Sequence, residues 1–261
     1  MIRFLFFILL FFHGSIHLMG FFKSVNSAAI AQLQLPISQI AGIFWLIAAL
    51  IFVASALLFL LRNPYWWIPA LAGLMISQTL VIFSWSDAKV GTLANLLVLI
   101  PVLFSILGSL PSDYGNRYRK DVKRLLPDSI SEEPLMESDI AHLPPVVVRY
   151  LHYTGAVGKP KAFNFRAEFT GSMRQKPGAS WLKIKSQQYN FFKDPARLFY
   201  IESSMYGIPF DGYHHYIGEN AVMQIRLANL ITVADARGDK MNQGETVTLF
   251  NDMCLLAPST L

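Results

Sequence analysis

Charge is what the first 110 residues lack. Between Met1 and Leu110 the only charged side chains are Arg3, Lys23, Arg62, Asp87 and Lys89. A water-soluble domain of that size would expose far more, so an ordinary globular start is excluded. Cysteine is nearly absent too. Cys254 stands alone, so no disulfide framework can form within the chain, which fits a reducing compartment. Several catalytic signatures are also missing: no P-loop, G-x-G-x-x-G, H-E-x-x-H or G-x-S-x-G pattern occurs. The sequence therefore offers no recognisable enzyme site, and no catalytic residue, metal site or cofactor is assigned.

The chain has 261 residues, 53% of them hydrophobic, and a formal net charge of +5. The excess of basic residues does not point to nucleic acid. Arg117, Arg119, Lys120, Lys123 and Arg124 cluster just after the last apolar stretch, where cations set topology and meet anionic headgroups. Without that cluster the second half is slightly acidic.

Four apolar stretches, roughly 4–22, 39–61, 65–85 and 90–110, each match a hydrocarbon core of about 30 Å when helical. Helices are expected because backbone polar groups must be paired inside lipid, and nothing here alternates as a barrel strand would. Pro69 falls in the first turn of the third stretch, and Pro101 predicts a kink in the fourth. A cleaved signal peptide competes for the first stretch, with Arg3 as its positive start and Ala29-Ile30-Ala31 as a cleavage site. A retained helix is preferred because the apolar core is long. Arg3, Arg62 and the 117–124 cluster would lie on the inner side, against only Lys23 and Lys89 outside. Both termini are thus expected in the cytoplasm, with Tyr65, Trp66 and Trp67 at the inner interface and Trp85 at the outer.

Within these stretches the polar residues share a depth. His13 and His17 are four apart on one helical face. Gln39, Gln78 and Asn95 fall at corresponding heights, and Asp87 with Lys89 closes the outer loop. Such residues usually face the bundle interior and often mark function. The pair can hydrogen-bond a quinone carbonyl or another small molecule, or bind haem or a metal. It can equally serve only to tie helices together. Haem normally takes ligands from two helices, whereas both histidines lie on one face.

Residues 111–143 read as a juxtamembrane linker, basic first and then acidic (Glu132, Glu133, Glu137, Asp139), with Pro127 and Pro134 as helix breakers. Pro144-Pro145 opens a short helix that ends near Gly155. After Pro160 the pattern alternates. Strands are expected through 163–170, 181–191, 198–206, 213–217, 221–227 and 231–236, joined by short turns in an antiparallel sheet. A closing helix spans 243–256, with Asn242 as N-cap and Glu245 completing a capping box. The expected whole is a four-helix transmembrane bundle (1–110), then an α+β cytoplasmic domain (144–261) with a mainly antiparallel, curved sheet.

The segments LPPVVVRYLHYTGAVG, FTGSMR, QQYNFF, DPARLFY, GIPFDGYHHYIGENAVMQIRLANL and NQGETVTLFNDMCLLAPSTL resemble a bacterial domain family of unknown function, over Leu143 to Leu261. HGSIHLMGFFK and FSWSDAKVGTLANL are similar to the membrane part of its longer members. The resemblance implies a multi-pass protein of the bacterial plasma (inner) membrane. It also implies a domain that continues beyond the position of Leu261, so that this chain is expected to be a truncated form or fragment with an incomplete sheet. It brings no established activity.

Among soluble residues, His214 and His215 are adjacent on a strand and point to opposite faces, so they cannot share one metal. Asp211, Tyr213 and His215 share a face and can line a pocket or simply pack across strands. Cys254 falls in the apolar stripe of its helix and reads as core. The leading functional expectation is a sheet that binds a lipid-like or small apolar ligand, or a partner protein, through Phe163, Phe165, Trp181, Tyr189, Phe191, Phe192, Phe199 and Tyr200 beside the bilayer. The alternatives are a quinone-linked, redox or transport role at His13, His17, Gln78 and Asn95, and a structural or assembly role.

Overall fold

The computed structural model describes residues 2–26, 30, 33–127, 133–174, 176–205 and 208–261. Ala29 and Ala31 of the cleavage-site reading, Glu132 of the acidic run, and Tyr206 at the end of the third expected strand lie outside these residues. The chain forms two compact units, Met1–Ser109 and Leu110–Leu261.

The first unit is helical: α1 (Ile2–Val25), α2 (Gln39–Leu60), α3 (Trp67–Phe83), the short α4 (Trp85–Ala88) and α5 (Gly91–Ser109). Among the described residues three helices are long and apolar enough to cross a membrane, namely α1, α2 and the one opening at Gly91. The third expected span is apolar but holds only 17 residues. Its ends are trimmed by local chemistry. Arg62 adopts φ 61°, Asn63 Oδ1 accepts from the Tyr65 N–H at 2.8 Å, and the helix restarts as α4 after Ser84. Expected bounds of 65–85 thus contract to 67–83. α5 runs through Pro101, which sits inside the helix.

Small residues let α1 and α2 approach closely. A Cβ added to Gly14 would meet Phe52 Cβ at 2.8 Å, and one added to Gly20 would fall on the Trp45 ring. Leu10, Phe52, Ala56, Trp66, Leu74, Val98 and Val102 fill the interior. The outward surface is equally apolar, with Phe12, Ile40, Met75 and Phe83 exposed. A helical unit with greasy sides and polar groups inside is the arrangement that suits a hydrocarbon solvent.

The second unit begins with α6 (Tyr114–Leu125), α7 (Glu137–Ile140) and α8 (Pro145–Thr154). Asp113 caps α6 by accepting from the Gly115 and Asn116 N–H groups at 3.0 and 3.3 Å. Gly155, in the left-handed region at φ 68°, ends α8 as the sequence suggests. Six strands follow: β1 (Asn164–Met173), β2 (Leu182–Phe191), β3 (Ala196–Met205), β4 (Ile208–Ile217), β5 (Asn220–Leu227) and β6 (Ile231–Arg237). They form one open antiparallel meander in sequence order. Gly218 and Glu219, at φ 56° and 66°, turn β4 into β5 in two residues, as a type I′ hairpin requires. The helix α9 (Asp239–Leu256) and a 3₁₀ turn at Pro258–Thr260 close the chain.

Two helices cover opposite faces of the sheet. The residues 111–143, read as a linker, contain α6, whose Tyr114, Tyr118, Val122 and Leu125 pack on Leu198, Tyr200 and Tyr213. On the other face, Leu249 and Met253 of α9 pack on Tyr216 and Ala221. The expected capping box at Asn242 does not form. α9 starts earlier, behind Gly238, and the Asn242 Oδ1 instead accepts the Ala221 N–H at 2.8 Å, while Glu245 is buried toward the sheet.

Candidate functional site

In the helical unit the polar residues converge. His13 and His17 project from the same face of α1, and both are buried. His17 Nδ1 donates to the His13 carbonyl oxygen at 2.8 Å, which fixes the ring's orientation. His17 Nε2 lies 2.8 Å from Ser77 Oγ on α3, and His13 Nε2 lies 2.8 Å from Asn95 Oδ1 on α5. Ser77 Oγ is in turn 3.0 Å from Asn95 Oδ1. The chain continues from Asn95 Nδ2 to Gln78 Oε1 at 2.9 Å, and from Gln78 Nε2 to Thr92 Oγ1 at 3.2 Å. One network therefore stitches α1, α3 and α5, while α2 contributes aromatic walls. Phe52 and Trp45 stand 4.8 and 5.3 Å, centroid to centroid, from His13 and His17 respectively.

Beside this network lies a cavity of about 290 Å³. Its wall is mostly apolar, including Trp45, Val81 and Ala94, and it carries both histidines with Asp87. Asp87 Oδ2 accepts the Leu35 N–H at 2.7 Å. An apolar hollow with a few convergent polar groups is the usual form of a small-molecule site. Of the residues singled out from sequence, His13, His17, Gln78 and Asn95 are brought together. Gln39 stands exposed at the start of α2. Ser77 and Thr92 escape sequence reading because single hydroxyls are common in apolar helices. Only the neighbour of Ser77, Gln78, carries a conspicuous signal.

On the sheet, Asp211, Tyr213 and His215 do share one face, and α6 covers it. Arg226 donates to Asp211 and to Asp113, each at 2.7 Å, with its guanidinium 4.2 Å from the Tyr114 ring centroid. Burial, with the Asp113 carboxylate nearby, holds the Asp211 carboxyl above its ordinary range despite Arg226. Tyr213 donates to Asp121 at 2.8 Å, and His215 stacks on Tyr213 at 4.9 Å. The opposite face holds a second buried cluster. Gln188, Asn190 and Arg197 all donate to Asp252 Oδ2, at 2.7, 2.9 and 3.1 Å, and Arg197 also donates to Glu245 at 3.1 Å. His214 lies on that side. Burial, and then the Arg197 charge, depress its ring to about 4.

The aromatic set expected to form one concavity is divided between these faces. Tyr189, Phe191 and Tyr200 belong to the α6 side, whereas Phe165 and Phe199 alternate to the other. Trp181 is exposed before β2 begins. Residue identity signalled aromatic content, but the face of each ring depended on strand register.

Among the described residues, no group of three or more His, Cys, Asp or Glu is placed to hold a metal ion. No curated protein and no solved structure matches this chain. Residues 133–261 match the model of a family of unknown function (DUF6544), so the sheet-bearing half carries a domain of unknown function similar to that family.

Proposed function

We propose that this chain is a multi-pass protein of a bacterial plasma membrane, in which the helical unit holds a small apolar ligand with one hydrogen-bonding head group. The observation that carries the reading is the cavity of about 290 Å³ whose otherwise apolar wall includes His13 and His17. A quinone has the matching chemistry, with carbonyl oxygens for a ring N–H and an apolar remainder for Trp45, Val81 and Ala94. In this reading α3 is a fourth span. Its 17 residues give about 26 Å of helix at 1.5 Å per residue, within the reach of modest bilayer thinning. The distribution of Arg and Lys supports cytoplasmic termini.

Trp45 gives a direct readout, because it lines the cavity and a quinone ring quenches indole fluorescence. Full-length protein in lipid nanodiscs, titrated with a short-chain ubiquinone analogue, is expected to show saturable quenching that disappears in Trp45→Phe. Ala94→Phe, which fills the cavity without touching the hydrogen bonds, is expected to weaken binding at least tenfold. Linear quenching, identical in all three proteins, would overturn the reading.

A second reading keeps the sheet as the binding element. It is supported by a groove of about 740 Å³ bounded by Leu125, Tyr216, Ile217, Leu249, Phe250 and Met253, which suits a lipid-like ligand or a partner's apolar side chains.

A further inference from the structure

Ser77 owns one hydroxyl hydrogen but stands between two partners, His17 Nε2 at 2.8 Å and Asn95 Oδ1 at 3.0 Å. The hydrogens along the chain can be counted. His17 Nδ1 must carry one, because the His13 carbonyl oxygen only accepts. If the His17 ring is neutral, Nε2 has only a lone pair and takes the Ser77 hydrogen. The contact between Ser77 Oγ and Asn95 Oδ1 is then left without one. With Asn95 Oδ1 at the centre, every bond is made only when His17 holds a second hydrogen. Nε2–H then donates to Ser77, Ser77 donates to Asn95 Oδ1, and His13 Nε2–H donates to the same oxygen. Asn95 Nδ2 donates to Gln78 Oε1, and Gln78 Nε2 donates to Thr92.

A half-turn of the Asn95 and Gln78 amides reverses this direction and removes the extra proton. Thr92 donates to Gln78 Oε1, and Gln78 Nε2 donates to Asn95 Oδ1. The two hydrogens on Asn95 Nδ2 go to Ser77 Oγ and His13 Nε2, and Ser77 donates to His17 Nε2. Both rings are now neutral, with the His13 hydrogen on Nδ1. The same heavy atoms at the same distances thus form two networks, each making every contact named above, that differ by one proton, since an amide presents a donor and an acceptor of nearly equal shape.

We propose that the His17–Ser77–Asn95–His13 chain is a proton-binding switch, in which the Asn95 and Gln78 amides rotate as His17 gains or loses one proton to water. The groups facing His17 among the described residues are few. His13 stands on its own helix, Ser77 and Gln78 on α3, Asn95 and Thr92 on α5, and the non-titrating Trp45 and Phe52 on α2. Asp87 lines the adjoining cavity, and Lys23, further along α1, donates to the Ile30 carbonyl at 3.3 Å. The consequence for function rests on the ligand reading of that cavity. A bound head group beside both rings prefers one network over the other, so ligand occupancy and proton uptake are linked and each shifts the other equally.

The switch is tested without a ligand, by ¹⁵N NMR of histidine-labelled full-length protein in nanodiscs from pH 3.5 to 8. His17 is expected to pass from two N–H groups to one as pH rises, with the Asn95 side-chain amide signals moving in the same transition. Asn95→Asp offers only acceptors, so no half-turn can complete the neutral network. Its fraction of doubly protonated His17 at pH 7 is expected to exceed that of the parent at least tenfold. Gln78→Glu imposes the same orientation from one residue further along, and the same direction of change is expected should Asn95→Asp fail to fold. A single N–H on His17 throughout, or a titration unaltered in both variants, would overturn the switch. Adding the ubiquinone analogue at pH 6 is a separate arm. If the switch operates but the analogue leaves the proton count unchanged, it is the ligand reading that fails.

Discussion

His214 shows how one buried ring makes the sheet unit sensitive to acid. Its Nε2 lies 3.3 Å from Glu245 Oε1 yet makes no aligned hydrogen bond, and Arg197 occupies the other Glu245 oxygen at 3.1 Å. The folded ring takes its proton at about 4, against 6.5 for an exposed histidine, because burial and Arg197 disfavour the cation. Over that window the unfolded chain binds the proton more tightly, so stability is lost as pH falls from about 6.5 toward 4. The loss approaches roughly 3 kcal/mol. Glu245, whose carboxyl is raised by burial, gains a proton in the fold and offsets part of it. His214→Gln is expected to flatten the dependence, measured as the urea midpoint of the full-length protein in detergent between pH 7 and 4.5. Equal slopes for parent and variant would contradict the assignment. The alternation that sends His214 and His215 to opposite faces was legible from adjacency alone. The Asp113–Arg226–Asp211 triad was not, because it joins residues 113 positions apart through a register that no local pattern reveals.

Elements divide in the same way. The strands β1 and β2 announce themselves by period-two alternation, and Gly155 marks the end of α8. β4 begins at Ile208, five residues before its legible stretch, because Pro209 and Gly212 hide the alternation. α6 was hidden for a related reason. Its inward stripe is Tyr114, Tyr118, Val122 and Leu125, spaced for a helix but half aromatic-polar, amid five cations that draw the eye to the membrane surface. In the helical unit, length and apolarity gave the helices, whereas their contacts depend on glycines that composition does not distinguish. At Gly14 the α1 and α2 backbones leave no room, since Ala49 O would stand 3.2 Å from an added Cβ. Gly14→Leu is therefore expected to force the helices apart, destabilising the unit by about 1–3 kcal/mol. The thermal aggregation midpoint in mild detergent is expected to fall by several degrees, while Gly171→Ala, on a strand with open space around it, leaves the midpoint unchanged. Equal midpoints for Gly14→Leu and the parent would show that this contact does not hold the bundle.

At the scale of the whole molecule, the two halves solve opposite solvation problems. The sheet unit hides tyrosines and a few ion pairs beneath two helices and leaves lysines such as Lys120 and Lys240 on the outside. The helical unit hides its histidines and amides, and turns phenylalanine, isoleucine and methionine outward. In water that surface would be a severe liability; in hydrocarbon it is neutral, and the buried polar network becomes the principal directional interaction between helices. Both the cavity and its proton switch depend on this inside-out arrangement. Spin-label depth measurement tests it most directly. Phe12, exposed and next to His13, is replaced by Cys in a Cys254→Ser background, and the nitroxide's collisions with oxygen and with a water-soluble nickel chelate are compared in nanodiscs. Oxygen is expected to dominate strongly at position 12, whereas a label at Tyr153, an exposed residue of the sheet unit, is expected to meet nickel freely. Equal nickel access at both positions would contradict a lipid-lodged bundle, and with it the site built inside.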